Sequence, residues 1–200
     1  MKNLLTDIAG VRVGHAEDAK IATGTTAIIF DAPAVAAIDV RGGGPGTRED
    51  ALLDLASTVD RVDAIALSGG SAFGIDAGGG IQAWLAEQGR GLRIREAVIP
   101  IVPGAIVFDL LNGGDKAWGR FPPYRELGYC AARAARLDFT LGTAGAGYGA
   151  MTATLKGGLG SASETVGAFT VGAIVAVNAL GDVLVGDGPH FLAGPHEIGA

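Results

Sequence analysis

Short runs of apolar residues recur along this chain, either alternating with polar residues or unbroken. Glycine, proline and acidic residues end each run after a few positions. Runs of this length and period are typical of β-strands that are buried on one or both faces. The pattern predicts strands at residues 11–14, 25–30, 35–40, 64–68, 98–102, 140–144, 170–177 and 183–185.

Other segments have the helical period of apolar positions. Helices are predicted at residues 47–58, 72–88 and 124–137. In the second of these, Ile81, Trp84 and Leu85 recur at helical spacing, and Gly89 is a natural stop. The third begins directly after Pro123, and proline is common where helices start.

The order of these elements indicates the fold class. The helices come one at a time between groups of strands, which differs from the strict alternation of a doubly wound sheet. We therefore expect an α+β fold in which a few helices cover the sheets. No low-complexity linker divides the chain, and its length suffices for one core, so a single domain over residues 1–200 is predicted.

Composition narrows the possible classes of protein. The chain is 48% hydrophobic and contains 34 glycines without a collagen period, which excludes a disordered or fibrous chain. Its net charge is −6 and its basic residues are scattered, so no nucleic-acid partner is expected. Apolar stretches are too short for a membrane span, and no signal-peptide pattern is seen. With Cys130 as its one cysteine, the chain is predicted to be cytoplasmic.

Two glycine clusters each join a predicted strand to a predicted helix. The first, at residues 41–49, has N–H groups that could hold an anion, or it is simply a tight turn. The second contains Gly69, Gly70 and Ser71. Ser71 lies where a nucleophile elbow would place its serine, but Phe73 replaces the final glycine of that motif. A glycine-rich wall for a substrate and plain turn chemistry both remain open.

Further candidates give weaker signals. Asp109 follows an apolar run, where an acid usually caps or turns the chain, although it could line a pocket. Residues 145–149 contain only half of a dinucleotide fingerprint. His15, His190 and His196 do not have the spacing of a zinc site. No cofactor and no metal are expected.

Residues 142–181 carry almost no charge. Lys156 is the lone cation there and Glu164 the only acid. Lys156 either reaches solvent from a loop or, partly buried, lowers the pKa of a nucleophile or stabilises an oxyanion. Asn178 is either a residue of a hairpin at 178–182 or an N–H donor in an oxyanion hole.

These motifs together resemble a known family. The segments are RGGGPGTRE, LSGGSAFGID, IPIVPGAIVFDL, GTAGAGYGAMTATLKGGLGSAS and TVGAIVAVNALGDVL. Their order is similar to that of the L-aminopeptidase/D-esterase family of N-terminal-nucleophile hydrolases, which includes β-peptidyl aminopeptidases and nylon-oligomer hydrolases. The resemblance implies a four-layer αββα sandwich that is completed by a second chain.

The resemblance also implies chemistry. Such enzymes cut their own precursor, and the Ser or Thr freed at the start of the β chain is the nucleophile. This chain is then expected to be the α chain, with Lys156 near the nucleophile and Asn178 in the oxyanion hole. Gly69, Gly70, Ser71 and Phe108 are expected to bind a small peptide or amide substrate. The β chain and a tetramer of αβ units are the implied partners. Ser161 is disfavoured as the cleavage point because it precedes Asn178.

Two departures bear on the substrate. Phe108 stands where some members have a tyrosine, and Ile106 stands where aminopeptidases have an acid for the substrate's amine. Hydrolysis of amides or oligomers therefore stays open beside an aminopeptidase role. An acyl transferase that resembles ornithine acetyltransferases and a non-enzymatic glycine-rich binding domain are the alternatives.

Overall fold

A computed structural model of the protein describes residues 2–196. It contains two α-helices, α1 (Ala77–Glu87) and α2 (Tyr124–Arg133), within those residues. The strands are β1 (Val11–Asp18), β2 (Thr23–Val35), β3 (Thr47–Arg48), β4 (Arg61–Ser68), β5 (Leu92–Ile94), β6 (Ala97–Ile99), β7 (Gly104–Ile106), β8 (Leu159–Val166) and β9 (Phe169–Ala176). Short 3-10 turns connect several of them. The predicted α+β class is confirmed.

A five-stranded sheet in the order β1-β2-β4-β7-β3 organises the molecule. Its strands pair antiparallel except for β4 and β7, which run parallel. Strands β5 and β6 form a separate hairpin, and β8 and β9 form another. Because β4 and β7 are parallel neighbours, the chain leaves both at the same edge of the sheet. The turn at residues 69–71 and the segment that contains Phe108 therefore lie side by side.

Both helices cover one face of this sheet. Alternate residues of β2 and β4 point toward the helices, as the two-residue period of a strand requires. The resulting core consists of Ala27, Ile29, Ala64, Ala66, Ile81, Leu85, Val102, Ala131 and Ala132. Burial of these side chains provides the main stabilising contribution of the helix layer.

The opposite face of the sheet is covered less completely. Val11, Val13 and Ile28 are buried there against the N-terminal residues and against Ile174 of β9. Ile65 on β4 is only partly buried. Strand β9 presents Phe169, with 76% of its surface exposed, and other apolar side chains to solvent. This layer of the fold therefore has uncovered apolar surface.

Helices α1 and α2 approach each other closely because glycines lie at their contact. A Cβ atom at Gly80 would come within 1.8 Å of the backbone carbonyl oxygen of Arg125. A Cβ atom at Gly128 would come within 2.0 Å of the carbonyl oxygen of Ala77. The glycines of the α1 sequence are thus explained by helix packing.

The predicted helix at 47–58 is wrong. Glu49 adopts a left-handed conformation with φ 57°, which breaks the helical path. In that conformation its carboxylate accepts hydrogen bonds from the Val102 N–H group (3.0 Å) and from Gln82 Nε2 (3.1 Å). Only a short strand and the 3-10 turn Asp50–Leu53 remain of the predicted helix.

Some predicted strands are also wrong. Strand β2 ends at Val35, so residues 36–40 are irregular. Residues 140–144 and 183–185 form only isolated bridges, Gly142 with Leu159 and Leu184 with Phe191. Residues 178–182 do not join two strands, because β9 pairs with the unpredicted strand β8. Single bridges form where a loop crosses one neighbour and then turns away.

Residues 2–196 include no helix with the length and apolar character that crossing a bilayer requires.

Replacing Gly80 with alanine is expected to destabilise the protein by about 1–3 kcal/mol, because the new methyl group forces α1 away from α2. Gly79→Ala is the matched control. Its Cβ atom would meet only the flexible guanidinium of Arg125, at 3.4 Å. This control should be neutral or stabilising by about 0.5–1 kcal/mol, because alanine favours helices. Urea unfolding of both variants measures the difference, and equal stability would contradict the packing argument.

His15 of β1 is expected to make the stability depend on pH. Its Nε2 atom donates to the Thr140 carbonyl (3.1 Å), so Nδ1 accepts from the Thr26 hydroxyl (3.0 Å) in the neutral ring. Burial lowers the pKa of His15. The Thr140 carbonyl and Glu17 act in the opposite direction, but the pKa remains below its ordinary value. The unfolded chain therefore takes up a proton first as the pH falls below about 6.5, and stability is lost.

The test compares the free energy of unfolding at about pH 7.5 and about pH 5 for the wild type and His15→Gln. The wild type should lose more stability on acidification than the variant. Exposed His190 provides the control substitution, His190→Gln, which should leave the wild-type pH dependence in place. An identical loss in the wild type and in His15→Gln would refute this role of His15.

Candidate active site

Asn178 lies two residues beyond the end of β9 and is exposed. Its side-chain oxygen Oδ1 accepts a hydrogen bond of 2.8 Å from the backbone N–H group of Phe108. Because a backbone N–H can only donate, this bond fixes which end of the amide faces Phe108. In the part of the chain that the structure describes, Nδ2 has no hydrogen-bond partner. Asn178 is thus oriented with two N–H bonds available to an outside acceptor.

An open cavity of about 270 Å³ lies next to the Asn178 segment, because its hydrogen-bond partner Phe108 and its chain neighbour Ala179 both line it. It is lined by Phe108, Asp109, Leu111, Asn112, Met151, Thr152, Ala153 and Ala179. The lining is mostly apolar, with the polar groups of Asp109, Asn112 and Thr152 among it. The cavity therefore brings together three segments that are distant in sequence, including the segment next to Lys156.

Lys156 follows a tight turn and is exposed. The backbone N–H of Thr152 donates to the carbonyl of Leu155 (2.8 Å), and Lys156 bridges back to Met151. Its Nζ atom lies 5.8 Å from the centroid of the Tyr148 ring, within the range of a cation–π contact. The described residues include no acidic ion-pair partner for Lys156, so its charge is not neutralised there by a salt bridge.

Direct contacts tie the Lys156 turn to the Asn178 segment. The N–H of Ala153 donates to the carbonyl of Gly181 (2.7 Å), and the Thr154 hydroxyl donates to the Asp182 carboxylate. The Thr154 hydroxyl and the Val183 N–H lower the pKa of Asp182. The charge-poor stretch thus folds so that its lysine and its asparagine lie on adjoining segments.

The turn at 69–71 uses its N–H groups within the fold. Gly69 donates to the Gly24 carbonyl (2.9 Å), and Ser71 donates to the Val107 carbonyl (3.1 Å). Gly70 donates to Oδ1 of Asp109 (2.7 Å). These three groups are therefore not available to an anion. Gly69 and Gly70 are buried and Ser71 is half-buried, so substrate binding by this turn stays a prediction.

The histidines are dispersed. His15 is part of the central sheet, whereas His190 and His196 are exposed near the end of the described chain. Among residues 2–196 no cluster of His, Cys, Asp and Glu side chains has the size and spacing to hold a metal ion.

The sequence of this chain is similar to proteins named as peptidases and oligomer hydrolases. The model of peptidase family S58 matches residues 3–192. An uncharacterized aminopeptidase of Mycobacterium tuberculosis is 46% identical in a 191-residue alignment that covers 91% of this chain and 54% of that protein. A 6-aminohexanoate-oligomer endohydrolase of Kocuria sp. is 30% identical in a 190-residue alignment that covers 92% of this chain and 50% of that protein. The chain thus spans about half the length of these relatives.

Solved structures have a similar fold. The β-aminopeptidase of Burkholderia sp. matches with a TM-score of 0.69 at 25% identity, over 89% of this chain and 52% of that one. The L-aminopeptidase D-Ala-esterase/amidase of Ochrobactrum anthropi matches with a TM-score of 0.67 at 20% identity. The match covers 86% of this chain and 52% of that chain. That enzyme is described as a variant of the Ntn-hydrolase fold. The resemblance seen in the sequence motifs is confirmed, and this chain belongs to peptidase family S58.

Proposed function

We propose that this chain is one half of an amide hydrolase of the N-terminal-nucleophile type. The observation that carries the proposal is the amide of Asn178. Its oxygen accepts from the Phe108 N–H, its nitrogen has no hydrogen-bond partner among the described residues, and both Phe108 and the neighbouring Ala179 line the cavity. A donor that is already oriented where a negative oxygen will develop stabilises a transition state without reorganisation. The family and the names of its members support the reaction class.

The nucleophile in this proposal is the hydroxyl of a Ser or Thr at the start of a β chain, freed from the same precursor. The hydroxyl oxygen attacks the substrate's carbonyl carbon, and the α-amine of the same residue takes the hydroxyl proton. Asn178 donates to the resulting oxyanion. Collapse breaks the C–N bond, and the amine leaves with that proton. Water then hydrolyses the acyl ester and regenerates the hydroxyl.

Lys156 has an electrostatic role in this mechanism. The terminal amine must be neutral to accept a proton, and an unperturbed α-amine titrates near about pH 8. A nearby ammonium group disfavours a second positive charge and so lowers the pKa of that amine. Lys156 has no acidic partner within residues 2–196, so its charge is available for this effect.

The substrate in this proposal is a small peptide, amide or amide oligomer. Ile106 packs against Gly46, where a Cβ atom would lie 2.4 Å from Ile106 Cγ1. Phe108 exposes 48% of its surface. Neither side chain can form a salt bridge with a substrate's ammonium group, which favours internal amide bonds over a strict aminopeptidase role. The turn of Gly69, Gly70 and Ser71 adjoins Phe108 and forms the other wall in this proposal.

The partner in this proposal is the β chain, and residues 1–200 are the α chain of the precursor. Exposed apolar residues on the β8–β9 hairpin support such a partner, since Val166, Phe169 and Val171 are 61%, 76% and 62% exposed. Apolar surface of this extent usually marks an interface. Assembly of αβ units into a tetramer extends the proposal. A cytoplasmic location agrees with the single cysteine of the chain.

Asn178→Ala in the full-length protein should reduce kcat for amide hydrolysis by about 100- to 1000-fold, because the oxyanion loses its donor. Asn3→Ala is the matched control, since Asn3 also accepts a backbone N–H (2.8 Å, from Ser163), but its partner Ser163 does not line the cavity whereas Phe108 does. Assays on 6-aminohexanoate oligomers and on amino-acid p-nitroanilides measure kcat, and gel electrophoresis follows splitting of the precursor.

Lys156→Ala should slow both hydrolysis and precursor splitting. The exposed Lys20, paired with Asp115 at 3.3 Å, provides the control substitution Lys20→Ala. Complete splitting together with wild-type kcat in both Asn178→Ala and Lys156→Ala would remove the support for this mechanism.

A further inference from the structure

Asp109 is a buried acid among the residues that line the cavity. Only 2% of its surface is exposed. Its Oδ2 atom accepts a hydrogen bond of 2.5 Å from the Thr23 hydroxyl, and its Oδ1 atom accepts one of 2.7 Å from the Gly70 N–H. A carboxylate is retained at such a depth only where donors surround it. Both oxygens of Asp109 are therefore engaged, one by β2 and one by the turn at 69–71.

Two glycines make room for this carboxylate. A Cβ atom at Gly69 would lie 2.0 Å from Oδ2 of Asp109, and one at Gly149 would lie 2.5 Å from the same oxygen. The ring of Tyr124 closes the turn from below, because a Cβ atom at Gly70 would lie 2.1 Å from its Cζ atom. The side chain of Asp109 thus occupies a closely fitted cradle of backbone.

Each chain segment around the Asp109 carboxylate leads to a residue of the proposed site. The residue before Asp109 is Phe108, whose N–H orients Asn178. The chain from Gly149 continues to Met151, which bridges to Lys156. The glycine turn continues to Ser71. The carboxylate therefore contacts the glycine turn and lies against the Gly149 segment, and its chain neighbour Phe108 holds Asn178.

Neighbouring groups reinforce this arrangement. Asn112 donates from Nδ2 to the carbonyls of Ala22 (2.6 Å) and Gly149 (2.9 Å), which holds the Gly149 segment against the residue that precedes β2. The Lys116 ammonium donates to the Ile21 carbonyl. Burial lowers the pKa of Lys116, and Asp109 and Asp18 oppose that shift.

We propose that Asp109 is a positioning residue of the proposed hydrolase. Its carboxylate sets where the glycine turn, the Phe108–Asn178 pair and the segment leading to Lys156 lie relative to one another. Asp109 touches no reacting atom in this proposal and acts through the hydrogen bonds of its neighbours. The inference rests on the proposed function for its kinetic consequence, whereas the link from Asp109 to Asn178 is structural.

The kinetic test is Asp109→Asn in the full-length protein, with Asp63→Asn as the matched control. Asp63 is also buried, at 4% exposure, and its Oδ2 atom accepts the Ile101 N–H (2.9 Å), but it does not line the cavity. We expect Asp109→Asn to lower kcat by about 10- to 100-fold with KM changed less than about 3-fold, because small displacements of catalytic groups are costly. Asp63→Asn should lower the melting temperature and leave kcat near the wild-type value.

The structural test is the side-chain amide resonance of Asn178, recorded by NMR on the same ¹⁵N-labelled proteins. Asp109→Asn should shift this resonance and speed hydrogen exchange of the Phe108 N–H, and Asp63→Asn should change neither. If Asp109→Asn does not fold, Thr23→Val and Thr23→Ser replace it. Thr23→Val removes one donor to the carboxylate and should shift the resonance, whereas Thr23→Ser keeps the hydroxyl and should restore the wild-type position.

The outcomes separate the two proposals. If the wild type hydrolyses no amide and the Asn178 resonance still moves in Asp109→Asn, the hydrolase proposal fails and the positioning link stands. If Asp109→Asn, or Thr23→Val in its place, leaves both the Asn178 resonance and kcat unchanged, the role of Asp109 is overturned and the hydrolase proposal survives. If Asp109→Asn lowers the melting temperature but leaves kcat unchanged, which is the result expected of Asp63→Asn, the positioning role of Asp109 is also overturned.

Discussion

A carboxyl group loses most of its hydration when it is buried, so the surrounding chain must supply hydrogen-bond partners and exclude larger groups. At Asp109 this requirement fixes a hydroxyl from β2, a backbone N–H from the turn after β4, and glycine at two positions against the same oxygen. The parallel pairing of β4 and β7 makes the arrangement possible, because it brings the two strand ends to one edge of the sheet. The geometry of the candidate site and the packing of the core are therefore linked, since the same hydrogen bonds contribute to both.

Much of the fold follows from local sequence pattern. The helical spacing of Ile81 and Leu85 and the proline before Tyr124 predict α1 and α2 because both signals act within a few residues. The errors arise where a distant partner decides the conformation. Glu49 leaves the helical region because Val102, far along the chain, supplies an N–H to its carboxylate. Strand β8 escapes prediction because serine, glycine and glutamate dilute its apolar pattern, and pairing with β9 along its whole length forms it.

In the candidate site, too, some residues can be predicted from the local sequence and others depend on distant partners. Lys156 and Asn178 are conspicuous in the sequence because they are polar residues in a stretch almost without charge, and the structure places them on adjoining segments. Asp109 gives no comparable signal, because its partner Thr23 lies 86 positions away and acids after apolar runs are ordinary turn residues. The glycine cluster at 69–71 suggests N–H groups for a ligand, but the fold itself uses them. Hydrogen-bond partners distant in sequence cannot be inferred from spacing alone.

The β8–β9 hairpin has a consequence for how the protein is made. Apolar side chains such as Phe169 and Val175 are exposed on it, and β9 pairs with β8 alone among the described strands. An unpaired strand edge with such side chains readily adds strands from other molecules, which leads to aggregation. If the covering partner arrives on the same polypeptide, its effective concentration at this edge is far above that of any other chain in the cell. Synthesis as one precursor would then protect the hairpin before the backbone is cut, so the timing of cleavage would also govern solubility.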